Sequence, residues 1–353
     1  MIPVKIAQVN PLNPQYEYLK EAADVISQGG LVLLPTDTVY GIAADSKNQK
    51  AIERLYEIKK RPLEKRFSQL IDTKEKVEDI AVDIPVVAYK LMDTFWPGPL
   101  TLVCKAKEKD TIALRLPDNL IAQKIITLSK TSVVCPSANF SGGPAPREFS
   151  DAINNFKEAV DYAIDAGPCE LGVESSVVDV TTHPLQILRE GAIKKEEIMA
   201  VAHKKNVLFV CTGNSCRSVM AEAYLEKKLR ENGRDDVAVI SAGLMMLPGM
   251  GATEETKELL EEEGIDVSGH RSQRLTKELL DKSDIILVME NLHEERIAQL
   301  YPKALNRVYL LREFAQIRAD SLDISDPIGK SIEFYRQTFA VIKDSIERIL
   351  NIL

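Results

Sequence analysis

The chain has 353 residues, more than one hydrophobic core usually supports, so two domains are expected. Hydrophobic residues make up 45% of it, yet no apolar run nears the roughly 18 residues that a membrane span needs. The net charge of −8 is spread over both halves, so neither is a basic module and bulk electrostatics gives no support for tight nucleic-acid binding.

The start, MIPVKIAQVN, lacks the basic and apolar regions of a signal peptide, and five irregularly spaced cysteines make no disulfide framework. Reduced thiols in a cytoplasmic chain are the expectation. Residues 31–35 (LVLLP) read as a buried strand that runs into TDTVYG, where Thr36, Asp37, Thr38 and Tyr40 gather at a strand end. Residues 48–60 have helical apolar spacing and end in KKRPLEKR, with Pro62 enforcing the stop. Lys59, Arg61, Lys65 and Arg66 place positive charge beside the hydroxyl-rich turn, which suits an anionic substrate.

WPGPLTLV (96–103) is a rigid turn entering a strand, and TIALRLP (111–117) is a short strand with one cation, Arg115. A substrate carboxylate or an internal ion pair would each satisfy that arginine. VVCPSANFSGGPAP (133–146) opens from a strand into a loop carrying Ser137 and Asn139. Glu174, Ser175 and Ser176 head another strand, and Arg189 ends the last one. Strand ends are where α/β proteins place ligands. This set has no nucleophile–base pair and no metal-ligand cluster, so it fits a nucleotidyl transfer driven by positioning and positive charge.

PTDTVYG, KKRP, WPGPLT, LRLP, SANFSG, ESSVVD and ILREGAI, in this order, resemble the YrdC-like threonylcarbamoyl-adenylate synthases over residues 18–199. The resemblance implies that L-threonine, bicarbonate and ATP condense to threonylcarbamoyl-AMP and pyrophosphate. The product would pass to the machinery that modifies adenosine in tRNA. By motif, Thr36, Arg115, Ser137 and Ser175 would hold threonine, with Arg115 on its carboxylate. Lys59, Arg61, Lys65, Thr111, Asn139 and Arg189 would hold ATP, accompanied by Mg2+. Long members of that family carry an extra C-terminal domain, whose place is taken here by a different unit.

Residues 192–205 are charged and poor in bulky apolar groups, so a linker is expected at 202–205 between domains 1–201 and 206–353. Beyond it, VLFV (207–210) reads as a buried strand and the run from Arg217 as an amphipathic helix. Between them lie Cys211, Thr212, Gly213, Asn214, Ser215 and Cys216. A loop entering a helix N-terminus offers backbone N–H groups to a phosphate and favours a thiolate over a thiol. Arg217 adds a planar fork that can grip two phosphate oxygens. VAVISAG (237–243) and DIILVM (284–289) read as further strands, followed by a short one at 308–310. Asp326 precedes Pro327 in a rigid turn and could serve as general acid, then base. The last stretch, 330–353, is an amphipathic helix.

CTGNSCRS and SDPIGKSI resemble the low-molecular-weight protein phosphatases from about residue 206 onward. The resemblance gives Cys211 the nucleophile's role, Arg217 the phosphate clamp and Asp326 the acid. Thr212, Gly213, Asn214, Ser215, Cys216 and Ser218 would shape the loop, supported by Ser241 and His270. Ser215 and Ile328, where tyrosine-specific relatives have an aliphatic and an aromatic residue, look nearer to protein-arginine phosphatases. A reversible Cys211–Cys216 disulfide is a further expectation.

The expected architecture is therefore two α/β domains. The first is a mixed twisted sheet, and the second is a doubly wound parallel sheet needing no cofactor. The rival for the first half is a nucleotide- or RNA-binding module regulating the phosphatase; for the second, an idle phosphate sensor.

Overall fold

The computed structural model describes residues 4–108, 110–244, 249–350 and 352–353. They form two compact units, Met1–Ala202 and His203–Leu353. Among the described residues no helix is long and apolar enough to cross a membrane.

The first unit is a mixed sheet with helices on its faces. Its strands are β1 (Lys5–Gln8), β2 (Val32–Leu34), β3 (Gly41–Asp45), β4 (Gln69–Leu70), β5 (Leu100–Lys105), β6 (Thr111–Arg115), β7 (Val133–Val134), β8 (Tyr162–Asp165), β9 (Ser176–Asp179) and β10 (Gln186–Arg189). Their spatial order is β1-β8-β2-β3-β7-β4-β6-β5-β9-β10. Parallel pairs such as β5·β9 are mixed with antiparallel ones such as β2·β3 and β5·β6. The helices are α1 (Tyr16–Ser27), α2 (Gln49–Lys59), α3 (Lys76–Ile80), α4 (Val86–Phe95), α5 (Leu120–Ser129), α6 (Phe149–Phe156) and α7 (Lys195–His203).

Alternation along β2 divides the core. Val32 and Leu34 pack with Leu19 and Ile26 of α1 and Ile125 of α5. Leu31 and Leu33 face Leu55 of α2 and Phe156 of α6. A third cluster joins Leu91 of α4 to Leu102, Leu114 and Val178. Asn48 starts α2 by accepting the Ala51 N–H, and Lys60 ends it in the left-handed conformation before Pro62.

The segment expected to hold the linker is ordered differently. Residues 195–203 form α7, because Ile198 buries itself with Val178, Val180 and Ile193 while Glu196 and Glu197 favour a helix N-terminus. Of residues 202–205, only Lys204 lies outside α7 and the next strand.

The second unit has four parallel strands, β11 (Lys205–Cys211), β12 (Val237–Gly243), β13 (Ile285–Val288) and β14 (Val308–Leu310), in the order β12-β11-β13-β14. The helices are α8 (Arg217–Glu231), α9 (Glu254–Glu262), α10 (Lys277–Asp281), α11 (Asn291–Leu300), α12 (Leu311–Phe314) and α13 (Ile332–Ile349). Val207 and Phe209 face α8 and α13, while Leu208 and Val210 face Leu280 and Ile297. Both faces are covered, which a parallel sheet requires. Tyr335, Phe339, Ile342, Ile346 and Ile349 supply the buried stripe of α13. Strand order reverses around β11, so the loop after Cys211 opens where a doubly wound sheet binds its ligands.

Candidate active sites

In the first unit, Thr36, Thr38, Arg61, Arg115, Ser137, Glu174, Ser175 and Arg189 line one cleft. Gly41 and Gly191 permit this, since a side chain at Gly41 would strike Cys135 and Pro136, and one at Gly191 would strike Glu174 and Ser175. Arg115 is 6% exposed and held from within by three of its five N–H groups. It donates to Asp37 Oδ1 at 2.5 Å, Thr38 Oγ1 at 2.8 Å and the Gly98 carbonyl at 3.1 Å. The other carboxylate oxygen of Asp37 is buried with no partner. Thr36 Oγ1 accepts the N–H groups of Thr38 and Val39, each at 3.2 Å, and so fixes the turn.

Across the cleft, Ser137 Oγ shares its single proton between Asn139 Oδ1 at 2.6 Å and Glu174 Oε1 at 3.0 Å. Arg189 pairs with Glu174 Oε2 at 3.1 Å and donates to the Ser175 carbonyl at 2.9 Å and Ser175 Oγ at 3.2 Å. Ser175 Oγ also lies 2.8 Å from Thr101 Oγ1. Arg61 stacks 5.1 Å over Phe67 and donates to the carbonyls of Lys65 and Arg66.

The remaining residues expected on the ATP side do not line this cleft directly. Lys59 is buried, and its ammonium donates to the carbonyls of Ser137 and of Asn139, the latter at 2.7 Å. Burial, then the neighbouring Arg61, lowers its pKa to about 8. Asn139 spends its amide on the Gly143 carbonyl at 2.5 Å. Lys65 is exposed, and Thr111 sits at the opposite end of β6 from Arg115. Sequence reasoning noticed Glu174 at its strand end but gave it no role.

In the second unit, Cys211 ends β11 and is 3% exposed. Its sulfur accepts the Asn214 N–H at 3.2 Å and lies 3.0 Å from Ser218 Oγ. Asn214 adopts a φ of 51°. Its amide donates to Ser218 Oγ at 3.0 Å and Ser241 Oγ at 2.7 Å, while its side-chain oxygen accepts the Gln273 N–H at 2.8 Å. His270 Nε2 donates to the Asn214 carbonyl at 2.8 Å. Gly243 suits this close approach, because a Cβ would stand 3.0 Å from the Thr212 carbonyl and crowd the loop backbone.

Arg217 opens α8 at 1% exposure and converges on three elements. It donates to Asp326 Oδ2 at 2.5 Å, Glu290 Oε2 at 2.6 Å and the Ile324 carbonyl at 2.8 Å, and reaches Thr212 Oγ1 at 3.4 Å. Asp326 is a third exposed and holds its turn by accepting the Ile328 N–H at 3.1 Å. Cys216 points away from this set, 3.5 Å from the Tyr335 hydroxyl and 3.6 Å from Thr253 Oγ1.

Two residues were missed from sequence, Glu290 and His293. His293 Nδ1 accepts the Glu290 N–H at 3.1 Å, so its Nε2–H donates to Thr212 Oγ1 at 2.9 Å. Burial, then Arg217, lowers its pKa to about 4, which keeps the ring neutral. The one available signal was the position of Glu290 just past the end of DIILVM.

Residues 24–191 match the Sua5_yciO_yrdC family, described as telomere recombination, and residues 206–353 match the low molecular weight phosphotyrosine protein phosphatases. A threonylcarbamoyl-AMP synthase of Pyrococcus abyssi is 39% identical over 192 residues, 52% of this chain and 56% of the relative. The chain thus spans little more than half that relative's length. A putative threonylcarbamoyl-AMP synthase of Methanocaldococcus jannaschii is 32% identical over 206 residues, 55% of this chain and 96% of the relative. A protein-arginine-phosphatase of Geobacillus stearothermophilus is 38% identical over 143 residues, 40% of this chain and 92% of the relative. The chain belongs to both families, to the Sua5/YciO/YrdC family through its first unit and to the low molecular weight protein phosphatases through its second.

Proposed function

We propose that the chain is a bifunctional cytoplasmic enzyme whose first unit makes L-threonylcarbamoyl-AMP from L-threonine, bicarbonate and ATP. The observation that carries this is the convergence of Arg61, Arg115 and Arg189 with Ser137 and Ser175 on one cleft. In this reading the threonine nitrogen and bicarbonate form a carbamate and water. A carbamate oxygen then attacks the α-phosphorus, and pyrophosphate leaves; Mg2+ accompanying ATP would offset the charge of its phosphates. The arginines neutralise the charge that develops, and the protein need supply no nucleophile. Arg115 would meet the threonine carboxylate; Arg61 and Arg189 would meet ATP, with Lys59 and Asn139 holding the loop behind them. The product would be handed to the tRNA threonylcarbamoyl transferase machinery. Pyrophosphate release requiring both threonine and bicarbonate tests this; a nucleotide- or RNA-binding regulator would release none.

The second unit acts, in our reading, as a phosphatase through a cysteinyl-phosphate intermediate. The contact of Arg217 with Asp326 beside the Cys211 loop carries it. Cys211 sulfur attacks phosphorus, and the leaving nitrogen or oxygen takes a proton from Asp326. Water then attacks the phosphocysteine while Asp326 takes a proton back, releasing phosphate. Ser215 in the loop and the exposed Ile328 support phosphoarginine over phosphotyrosine. Hydrolysis of an aryl phosphate, lost in Cys211→Ser, separates this from a phosphate sensor. Rates on phosphoarginine and phosphotyrosine proteins rank the substrates.

A further inference from the structure

The two arginine–carboxylate pairs of the first unit's cleft differ in kind. Arg115 and Asp37 are 8% and 4% exposed, so this pair is part of the core. Arg189 and Glu174 are 41% and 34% exposed at the cleft itself. Glu174 also accepts from Ser137 Oγ, so one carboxylate bridges the cation of β10 and the hydroxyl of the loop after β7. That is the arrangement a phosphate or carboxylate of a ligand would make there, with an oxygen on the guanidinium and another on the hydroxyl.

We propose that Glu174 is a built-in counter-anion that occupies an oxyanion subsite between Arg189 and Ser137 and is exchanged for an oxyanion of the substrate. The inference rests on the cleft being the substrate site argued above and adds how it is gated. A solvent-exposed pair is weak, so exchange is accessible. The swap keeps Arg189 and Ser137 satisfied before and after, since both partners are already aligned by other contacts. Arg189 is aligned by its bonds to the Ser175 carbonyl and hydroxyl, and Ser137 by its bond to Asn139. Glu174 therefore costs affinity and holds open a polarised site that uncharged groups cannot fill.

The test titrates the full chain with inorganic pyrophosphate, and separately with L-threonine, following hydrogen exchange in residues 172–176 and 186–191. This readout is local to the cleft and blind to anions at the Cys211 loop. Glu174→Gln is expected to bind one of the two probes roughly two- to fivefold more tightly than the unaltered protein. A gain with pyrophosphate assigns the subsite to the nucleotide phosphates, and a gain with threonine assigns it to the amino-acid carboxylate. Glu174→Ala, which cannot hydrogen-bond Ser137, should shift in the same direction. Glu190→Gln removes the same charge next to Arg189 but from a residue paired with Lys194, and should leave both titrations unchanged. Unchanged or weaker binding of both probes in both Glu174 variants, or an equal gain in Glu190→Gln, overturns the proposal. Threonine-dependent pyrophosphate release is measured separately, so failure of the synthase reading shows there and not in these titrations.

Discussion

Arg217 and Asp326, 109 residues apart, meet through a 2.5 Å contact that joins the start of α8 to the Asp-Pro turn before α13. The same guanidinium holds Glu290 and the Ile324 carbonyl, so removing the Asp326 charge leaves Arg217 anchored. Asp326→Asn should therefore fold normally and lose about 10²–10⁴-fold in kcat on substrates with a poor leaving group. In kcat/KM, which reports attack by Cys211, the loss should shrink toward nothing for a nitrophenolate, which needs no proton, whereas kcat stays low because water has lost its base in the second step. An equal loss of kcat/KM over a series of leaving groups would mean that Asp326 serves only to orient Arg217.

Asn214 carries both a backbone and a side-chain burden. Its φ of 51° is one that residues with a Cβ seldom adopt, and its amide ties Ser218, Ser241 and the Gln273 N–H together. Asn214→Ala should destabilise the second unit by about 2–3 kcal/mol, because it strands buried groups and strains the turn. Asn214→Gly relieves the strain alone and should recover about 1 kcal/mol of that. Urea denaturation followed by circular dichroism checks both values; equal losses would remove backbone strain from the account.

Much of the scaffold was legible because it depends on local patterns. The apolar run at β11, the strand β12 and the stripe of α13 are set by alternation and helical spacing, which a single sequence displays. Strand ends likewise announced Ser137, Ser175, Cys211 and the loop after it. What could not be read was which charges meet. Lys59 reads as a nucleotide contact, and nothing in its sequence neighbourhood shows that its ammonium also donates to the carbonyls of Ser137 and Asn139, 78 and 80 residues further on. Glu290 finds Arg217 across 73 residues, and no periodicity encodes such a pair. The helix α7 was hidden for a related reason: one buried side chain, Ile198, organises a segment whose composition is that of a solvated linker.

The buried Arg115–Asp37 pair supports the floor of the first unit's cleft. Asp37→Ala would leave the guanidinium charged and uncompensated at 6% exposure, a change expected to cost about 3–5 kcal/mol. The chain has one tryptophan, Trp96, buried in this unit with its indole N–H on the Leu100 carbonyl at 2.7 Å. Its fluorescence therefore reports unfolding of the first unit alone. Replacing both partners, Asp37→Ala with Arg115→Met, should restore most of the stability while leaving the cleft without its anchor for a carboxylate. A double variant as unstable as the single one would show that the pair is not the main contribution of these residues.

Two buried titrating groups in the second unit pull stability in opposite directions with pH. His293 has its pKa lowered from 6.5 to about 4 by burial and by Arg217. Between those values the unfolded chain binds a proton that the folded unit refuses, so stability falls as pH drops through that window. Glu222 accepts from Ser241 Oγ at 2.5 Å, and burial raises its pKa from 4.5 to about 7. Here the folded unit keeps a proton that the unfolded chain gives up, so its stability is present below pH 4.5 and lost as pH rises to about 7. Each effect amounts to roughly 3 kcal/mol over its window. Between pH 4.5 and 6.5 they should largely cancel in the unaltered protein. Glu222→Gln should then show stability rising with pH over this range, and His293→Gln stability falling with it, measured as hydrogen-exchange protection of the β11 amides. Parallel profiles in the two variants would mean that other groups govern the response of this sheet to pH.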